Sequence, residues 1–454
     1  MNNKYIILLC AFGSGSKLLQ AHLSSSPNLF TLPAYPLLYL PIYFKKWEND
    51  NNLSPIKLLK LIETQFASIF DTRSISGFNG TNELGKNKNG YIQISKKKFK
   101  NYFLKYFRKK NINLKNTIFA IHMSYQYAIK ENAKKILYHP HSIEIFKNHL
   151  HNDFKHSKSI LTIRDPILNF WRSAHADENI DRLRFDKTDY ENLKNYRYIN
   201  RVRDLYLNFK NFDKHVGKNC RVFRFEELKK DKKKSLKKIC KFFDIKLNFI
   251  KMKTPMFIKK QWWGSNIYKG STENYLLKKL NINQKKDMKL FSHFEILTLN
   301  TALLPFLSKF NYIKKNRHIN SNNFLFWIYI FFPTKYGFNL FFSRFNIKNF
   351  FFYIRNCIKE ISNKKTKNYY FNAMYKFKWS YRIAFLIKYN FLRKKSFIFK
   401  KNILLKLLNF CLKLFLYPII QIELMFLYFY RIYLIIKIKN ILSKNIQFMK
   451  LLKQ

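Results

Sequence analysis

The sequence predicts an α/β fold, a central parallel sheet flanked by helices with a mainly α-helical basic region beyond it, and three segments carry that expectation. The first is the apolar run Tyr5 to Leu9, which enters Gly13-Ser14-Gly15-Ser16-Lys17 and leaves into Leu18-Leu19-Gln20-Ala21-His22-Leu23. It reads as strand, tight loop and helix. The second is Lys158 to Pro166, an apolar strand ending in Arg164-Asp165-Pro166, followed by helical spacing from Ile167 to Ser173. The third, Cys220 to Leu228, is a short strand that runs into a basic helix from about Lys232 to Phe243.

Each element has a chemical reading. A Gly/Ser loop turns successive backbone N–H groups toward one point, and the helix behind it adds unpaired amides and a positive dipole end, so the loop favours a phosphate-like anion. Small residues let such an anion come close. Arg164 falls at the carboxyl end of its strand, where open α/β sheets place their ligands. A Gly/Ser turn between a strand and a helix is also often only a turn, so the ordered set matters more than any one piece.

Taken in order, these residues resemble the P-loop sulfotransferases that use 3′-phosphoadenosine 5′-phosphosulfate, over roughly Tyr5 to Gly270. The resemblance implies a three-layer P-loop-type core. In that family the first loop cradles the 5′-phosphosulfate, which carries over to Gly13, Ser14, Gly15, Ser16, Lys17 and Leu18, and the chain continues to a stretch matched by Ser26 to Pro33. The family's Arg-Asp-Pro strand end, with a Ser about two helical turns on, grips the 3′-phosphate and matches Arg164 and Ser173. Val222 to Leu228 matches a further family strand. Three departures stand out. Gly13 occupies the place of an Arg or Lys, leaving Lys17 as the nearby cation that would face the sulfate. The eighth residue after Arg164 is Arg172 and Ser173 is the ninth, and successive helical residues point about 100° apart, so only one of them faces the phosphate well. The Gly-rich segment near the domain end is present loosely, as Trp262-Trp263-Gly264-Ser265 and Lys269-Gly270-Ser271.

Sulfuryl transfer resembles phosphoryl transfer, an in-line displacement with charge spread over equatorial oxygens, so positioning and electrostatic stabilisation do most of the work. The family requires no metal. A base must take the acceptor's proton, and His122 is the leading candidate: Asn116 to Ile121 reads as a strand that would place it at a carboxyl end beside the other anchors. Glu226 is expected to be structural rather than catalytic.

Charge and composition set the wider frame. The 454 residues carry 86 Lys+Arg against 26 Asp+Glu, a net charge of +60. That sign suits anionic nucleotides, polyanionic acceptors or anionic lipid. Lys, Asn, Ile, Phe and Tyr also have AT-rich codons, so part of the excess follows from base composition, and no specific nucleic-acid partner is expected. Five cysteines, at 10, 220, 240, 357 and 411, have neither metal-ligand spacing nor a disulfide framework, which fits a reducing compartment. Ile6 to Cys10 is too short for a signal-peptide core.

The expected organisation is a sulfotransferase-like domain over 1–315, with 46–115 as an insertion or lid over the acceptor, and a basic, aromatic-rich helical region over 316–454. Beyond Ser321 there are 25 Lys/Arg against Glu360 and Glu423. The most apolar window there, Leu414 to Tyr430, has 17 residues and contains Pro418, Gln421 and Glu423, short of the ~20 apolar residues that a spanning helix needs. Basic aromatic helices of this kind suit an anionic membrane surface or packing on one another. The expected location is cytoplasmic, with peripheral attachment at the inner face of the membrane, and the expected acceptor is a hydroxylated compound such as a carbohydrate. Two rivals remain: a P-loop kinase, although the form G-x-x-x-x-G-K-[ST] is not met because Lys17 lies between Ser16 and Leu18, and a catalytically decayed binding protein at the membrane.

Overall fold

Parallel strands are covered on both faces and so favour apolar residues, and five short strands make the central sheet of the computed structural model. They are β1 (Tyr5–Cys10), β2 (Leu29–Thr31), β3 (Lys135–Tyr138), β4 (Lys158–Ile163) and β5 (Cys220–Arg224), in the order β2-β3-β1-β4-β5 with every neighbouring pair parallel. The structure describes residues 5–10, 15–50, 52–74, 80–141, 143–167, 169, 219–264, 293–312 and 429–442. The expected strands at the loop, at Arg164 and at Cys220 are all present.

Strand order decides where a ligand fits. From β1 the chain moves outward to β2 and back to β3, whereas from β4 it moves the other way to β5. The adjacent strands β1 and β4 therefore send their connections to opposite sides, and a crevice opens at their carboxyl ends. Register places Cys10 of β1 opposite Thr162 of β4, so the carboxyl ends of the two strands lie side by side, with Arg164 just past the second.

Helices form where caps and apolar period agree. Helix α1 (Ser16–Leu23) follows the first loop. Then come α2 (Leu40–Trp47), α3 (Pro55–Gln65), α4 (Lys96–Phe107) and α5 (Leu114–Ala128). The Ser54, Ser95 and Asn113 side chains accept from the amides of Lys57, Lys98 and Asn116, each satisfying an orphan donor at a helix start. Phe99, Phe103 and Phe107 recur every four residues and bury one face of α4. After β5 come α6 (Phe225–Lys230) and α7 (Lys232–Phe243); α7 buries Leu236, Ile239, Cys240 and Phe243 and turns its lysines outward, as its sequence predicted. Helix α8 (His293–Lys309) and residues 429–442, also helical, add Leu303, Phe306, Ile435 and Ile438 to the same apolar cluster.

One expected strand is a helix. Asn116 to Ile121 lies inside α5, where Leu114, Thr117, Ile118, Ile121 and Tyr125 are buried at a period of three to four. The β-branched stretch around Ile118 suggests a strand locally, but the Asn113 cap and the longer helical period prevail.

In the expected insertion, Leu84 pairs with both Gly90 and Trp262, the Gly85 amide donates to the Gln261 carbonyl (2.8 Å), and Trp263 Nε1–H donates to the Gly85 carbonyl (2.6 Å). The turn at 84–90 is thus tied to the hairpin of β6 (Met256–Phe257) and β7 (Lys260–Gln261) and its continuation. Residues 75–79 of the expected lid lie outside the described residues, as do Ser265, 269–271 and most of 316–454. Among the described residues no helix is long and apolar enough to cross a membrane.

Candidate functional site

The site starts from Gly15, the residue that caps α1. Its backbone is left-handed, with φ 77° and ψ 15°, and its carbonyl accepts from the amides of Leu18 and Leu19. A side chain here would be strained, and it would also collide: a Cβ would sit 2.2 Å from the ring of Phe225, the first residue of α6. The Arg164 guanidinium, leaving β4, lies 5.2 Å from the centre of that same ring. The loop and the strand-end cation therefore meet on one aromatic residue, at the crevice that the strand order creates.

The strand end is held from behind. Glu226 accepts the Asp165 amide on one carboxylate oxygen (3.0 Å) and the Tyr312 hydroxyl on the other (3.1 Å), while Arg224 lies 4.6 Å from the Tyr312 ring centre. Asp165 in turn accepts the Ile167 amide (2.9 Å). Glu226 is thus a positioning residue for the Arg164 turn, in line with its expected structural role.

A second set of groups closes the β3 side. His139, at the carboxyl end of β3, donates from Nδ1 to Gln20 Oε1 (2.7 Å) and accepts the Ser16 hydroxyl on Nε2 (3.1 Å). Gln20 Nε2 donates to Thr31 Oγ1, to the Leu32 carbonyl (3.0 Å) and to the Ala34 carbonyl (2.6 Å), which fixes the amide's orientation and hence the histidine tautomer. His141 Nδ1 lies 3.4 Å from His139 Nε2, and Tyr35 stacks on His141 at 4.1 Å. The Lys17 ammonium sits 5.0 Å from the Tyr35 ring centre. Burial, then the charges of His141 and Lys17, hold His139 well below the usual imidazole range. His139, Pro140 and His141 close a short apolar strand in the sequence, a signal that the sequence analysis did not use.

Gln20→Ala would leave two buried carbonyls and His139 without their partner. The expected cost is about 2 kcal/mol in urea unfolding, with Gln20→Glu no better because a carboxylate donates nothing to those carbonyls. An alanine variant as stable as the parent would show that the Gln20 network is not holding β2 to α1.

Of the residues singled out from sequence, Gly15, Ser16, Lys17 and Arg164 gather at the crevice. Leu18 contributes differently: its side chain is buried and its amide is already bonded to Gly15. Gly13, Ser14, Arg172 and Ser173 lie outside the described residues. His122 requires correction. It is inside α5 rather than past a strand, 1% exposed, with Nδ1–H donating to the Ile118 carbonyl (2.7 Å) and its ring edge-on to Phe30 and Tyr138. Burial pushes it down to about 4. A neutral, enclosed imidazole bonded to its own helix is a core residue, not a base facing an acceptor.

His22 is enclosed similarly, donating to the Met252 carbonyl and pushed down to about 3, chiefly by burial and then by Lys232. Both histidines stay neutral in the fold while the unfolded chain protonates near 6.5, so stability is full above that pH and falls below it, down to the folded values. Each should remove about 2 kcal/mol by pH 5, at ~1.4 kcal/mol per pH unit. Urea unfolding at pH 7.5 and pH 5 reads this directly; equal stabilities at the two would contradict it.

No family model matches the chain, and no curated protein matches it. Among solved structures, the chain is similar to the sulfotransferase domain from the Synechococcus PCC 7002 olefin synthase, at 16% identity over 61% of this chain and 82% of that one, with a TM-score of 0.31. The sulfotransferase domain from the curacin biosynthetic pathway gives 15% identity over 55% and 76%, with a TM-score of 0.30. Sulfotransferase STF9 from Mycobacterium avium gives 13% identity over 56% and 67%, with a TM-score of 0.31. At such scores the functional reading rests on the chain's own residues.

Proposed function

We propose that this chain is a sulfotransferase with a P-loop-type core, moving a sulfuryl group from 3′-phosphoadenosine 5′-phosphosulfate to a hydroxyl acceptor. One observation carries the reading: the left-handed Gly15 and the Arg164 guanidinium converge on Phe225 at the carboxyl ends of adjacent strands. A nucleotide with anionic groups at two positions needs two such holders within one pocket. The Gly15–Ser16 turn and the start of α1 would receive one anionic end through backbone amides, and Arg164 would grip the other through paired N–H donors. Lys17, on the β3 side of the loop, would supply the cation beside the sulfate that Gly13 cannot. The bound nucleotide supplies the activated sulfuryl group. The protein's part is to bind, orient and neutralise charge.

The acceptor class that suits the basic surface is a carbohydrate, either carrying anionic groups or presented at an anionic membrane face. The test is calorimetry with adenosine 3′,5′-bisphosphate on the parent protein and on the Arg164→Ala and Lys17→Ala variants, with ATP and magnesium as the competing ligand. Arg164-dependent binding of the bisphosphate in preference to ATP supports the reading. Preference for ATP with magnesium would favour a kinase, and no binding would remove the reading altogether.

A further inference from the structure

The Ser16 hydroxyl has one proton, and the structure already commits it. Gln20 is locked by three acceptors around its amide nitrogen, so its oxygen faces His139 Nδ1, which must carry a hydrogen; His139 Nε2 is then a lone pair that the Ser16 hydroxyl satisfies. In that arrangement Ser16 offers only oxygen lone pairs to anything entering the loop. An anion at the start of α1 needs donors, and a lone pair there repels it.

We propose that His139 is a positioning residue of this anion site that takes up a proton when a dianion occupies the loop; the inference rests on the anion-binding half of the function proposed above. With Nε2 protonated, His139 donates to the Ser16 oxygen, and the Ser16 hydrogen swings out to the anion. Both nitrogens of His139 then donate, Nδ1 to Gln20 and Nε2 to the nearer Ser16 oxygen (3.1 Å, against 3.4 Å to His141 Nδ1), so Gln20 and Ser16 keep their partner. The groups facing His139 are Ser16, Lys17 and Gln20 from α1, Tyr35 from the segment after β2, and His141 from its own turn. Among the described residues two of these are basic and none is acidic, so a bound dianion would supply the imidazolium's counter-charge. Burial keeps His139 neutral until then.

The direction of the linkage follows. The bound state has the higher histidine pKa, so anion affinity rises as pH falls toward it, by up to about tenfold per pH unit in that window. Inorganic sulfate is the probe, because it stays a dianion across neutral pH and its own titration adds nothing. Calorimetry at pH 6 to 8 in buffers of different ionisation enthalpy is expected to show net uptake approaching one proton per Lys17-dependent sulfate bound at the acid end. His139→Gln, whose amide still donates to Ser16, should bind sulfate with no uptake, whereas His141→Asn should retain it. If the glutamine variant does not fold, nitrogen NMR of the parent protein's labelled histidines reads the same event, as one neutral imidazole becoming doubly protonated on sulfate addition. Lys17-dependent binding with no proton exchange, or uptake unchanged in His139→Gln, would overturn this inference and leave the function standing. No Lys17-dependent binding at all would overturn both this inference and the anion-binding half of the function.

Discussion

Replacing Arg164 with alanine is expected to weaken adenosine 3′,5′-bisphosphate binding by roughly 10- to 150-fold, the worth of about 1.5–3 kcal/mol in charge-assisted hydrogen bonds. Arg164 is only 7% exposed, so solvent and salt screen it little, and the strand end that carries it is braced by Glu226 on the Asp165 amide. Arg164→Lys should recover part of the loss, since it restores the charge but not the planar fork. Thermal unfolding of each variant separates a lost ligand contact from a lost fold. Bisphosphate affinity in the alanine variant equal to that of the parent would detach Arg164 from the ligand and leave the convergence at Phe225 without a functional meaning.

Gly15→Ala should be strongly destabilising. Forcing an L residue into the left-handed region costs about 1–2 kcal/mol, and inserting a carbon 2.2 Å from the Phe225 ring adds about 1–3 kcal/mol of overpacking. The sum, about 2–5 kcal/mol, corresponds to a melting-temperature loss of roughly 4 °C or more for a domain of this size. Anion binding should fall with it, because the amides at the start of α1 are oriented by this turn. Phe225→Ala alone leaves a cavity, but combined with Gly15→Ala it removes the clash, so the double variant should be more stable than the two separate losses add up to. Strict additivity would show that the ring and the glycine are not in contact.

Much of this architecture was readable before the structure, for identifiable reasons. β1 and β4 are short, mostly apolar runs closed by abrupt changes of chemistry, β5 is a brief stretch with Val222 and Phe223 at its centre, and α7 sets buried apolar residues against outward lysines, so pattern alone specified them. β3 escaped notice because it is only four residues long, Lys135 to Tyr138, and its partners on both sides are distant in sequence. With it went His139 and His141, the histidines that do reach the loop. His122 was selected instead because Thr117 to Ile121 has strand-like composition, and only the cap at Asn113 and the buried period along α5 reveal a helix. Gln20 offered the better clue: a polar side chain on the apolar face of an eight-residue helix demands partners, and here they are a strand exit and an imidazole.

The double grip of Glu226 sets a lower limit on what can be cut away. One of its oxygens holds the backbone beside Arg164, and among the described residues the other accepts from a hydroxyl 86 positions further along, just past α8. A fragment trimmed before Tyr312 would keep every strand of the sheet and both anion-facing residues, yet it would strand a half-paired carboxylate next to them. The smallest autonomous piece of this protein therefore has to reach residue 312.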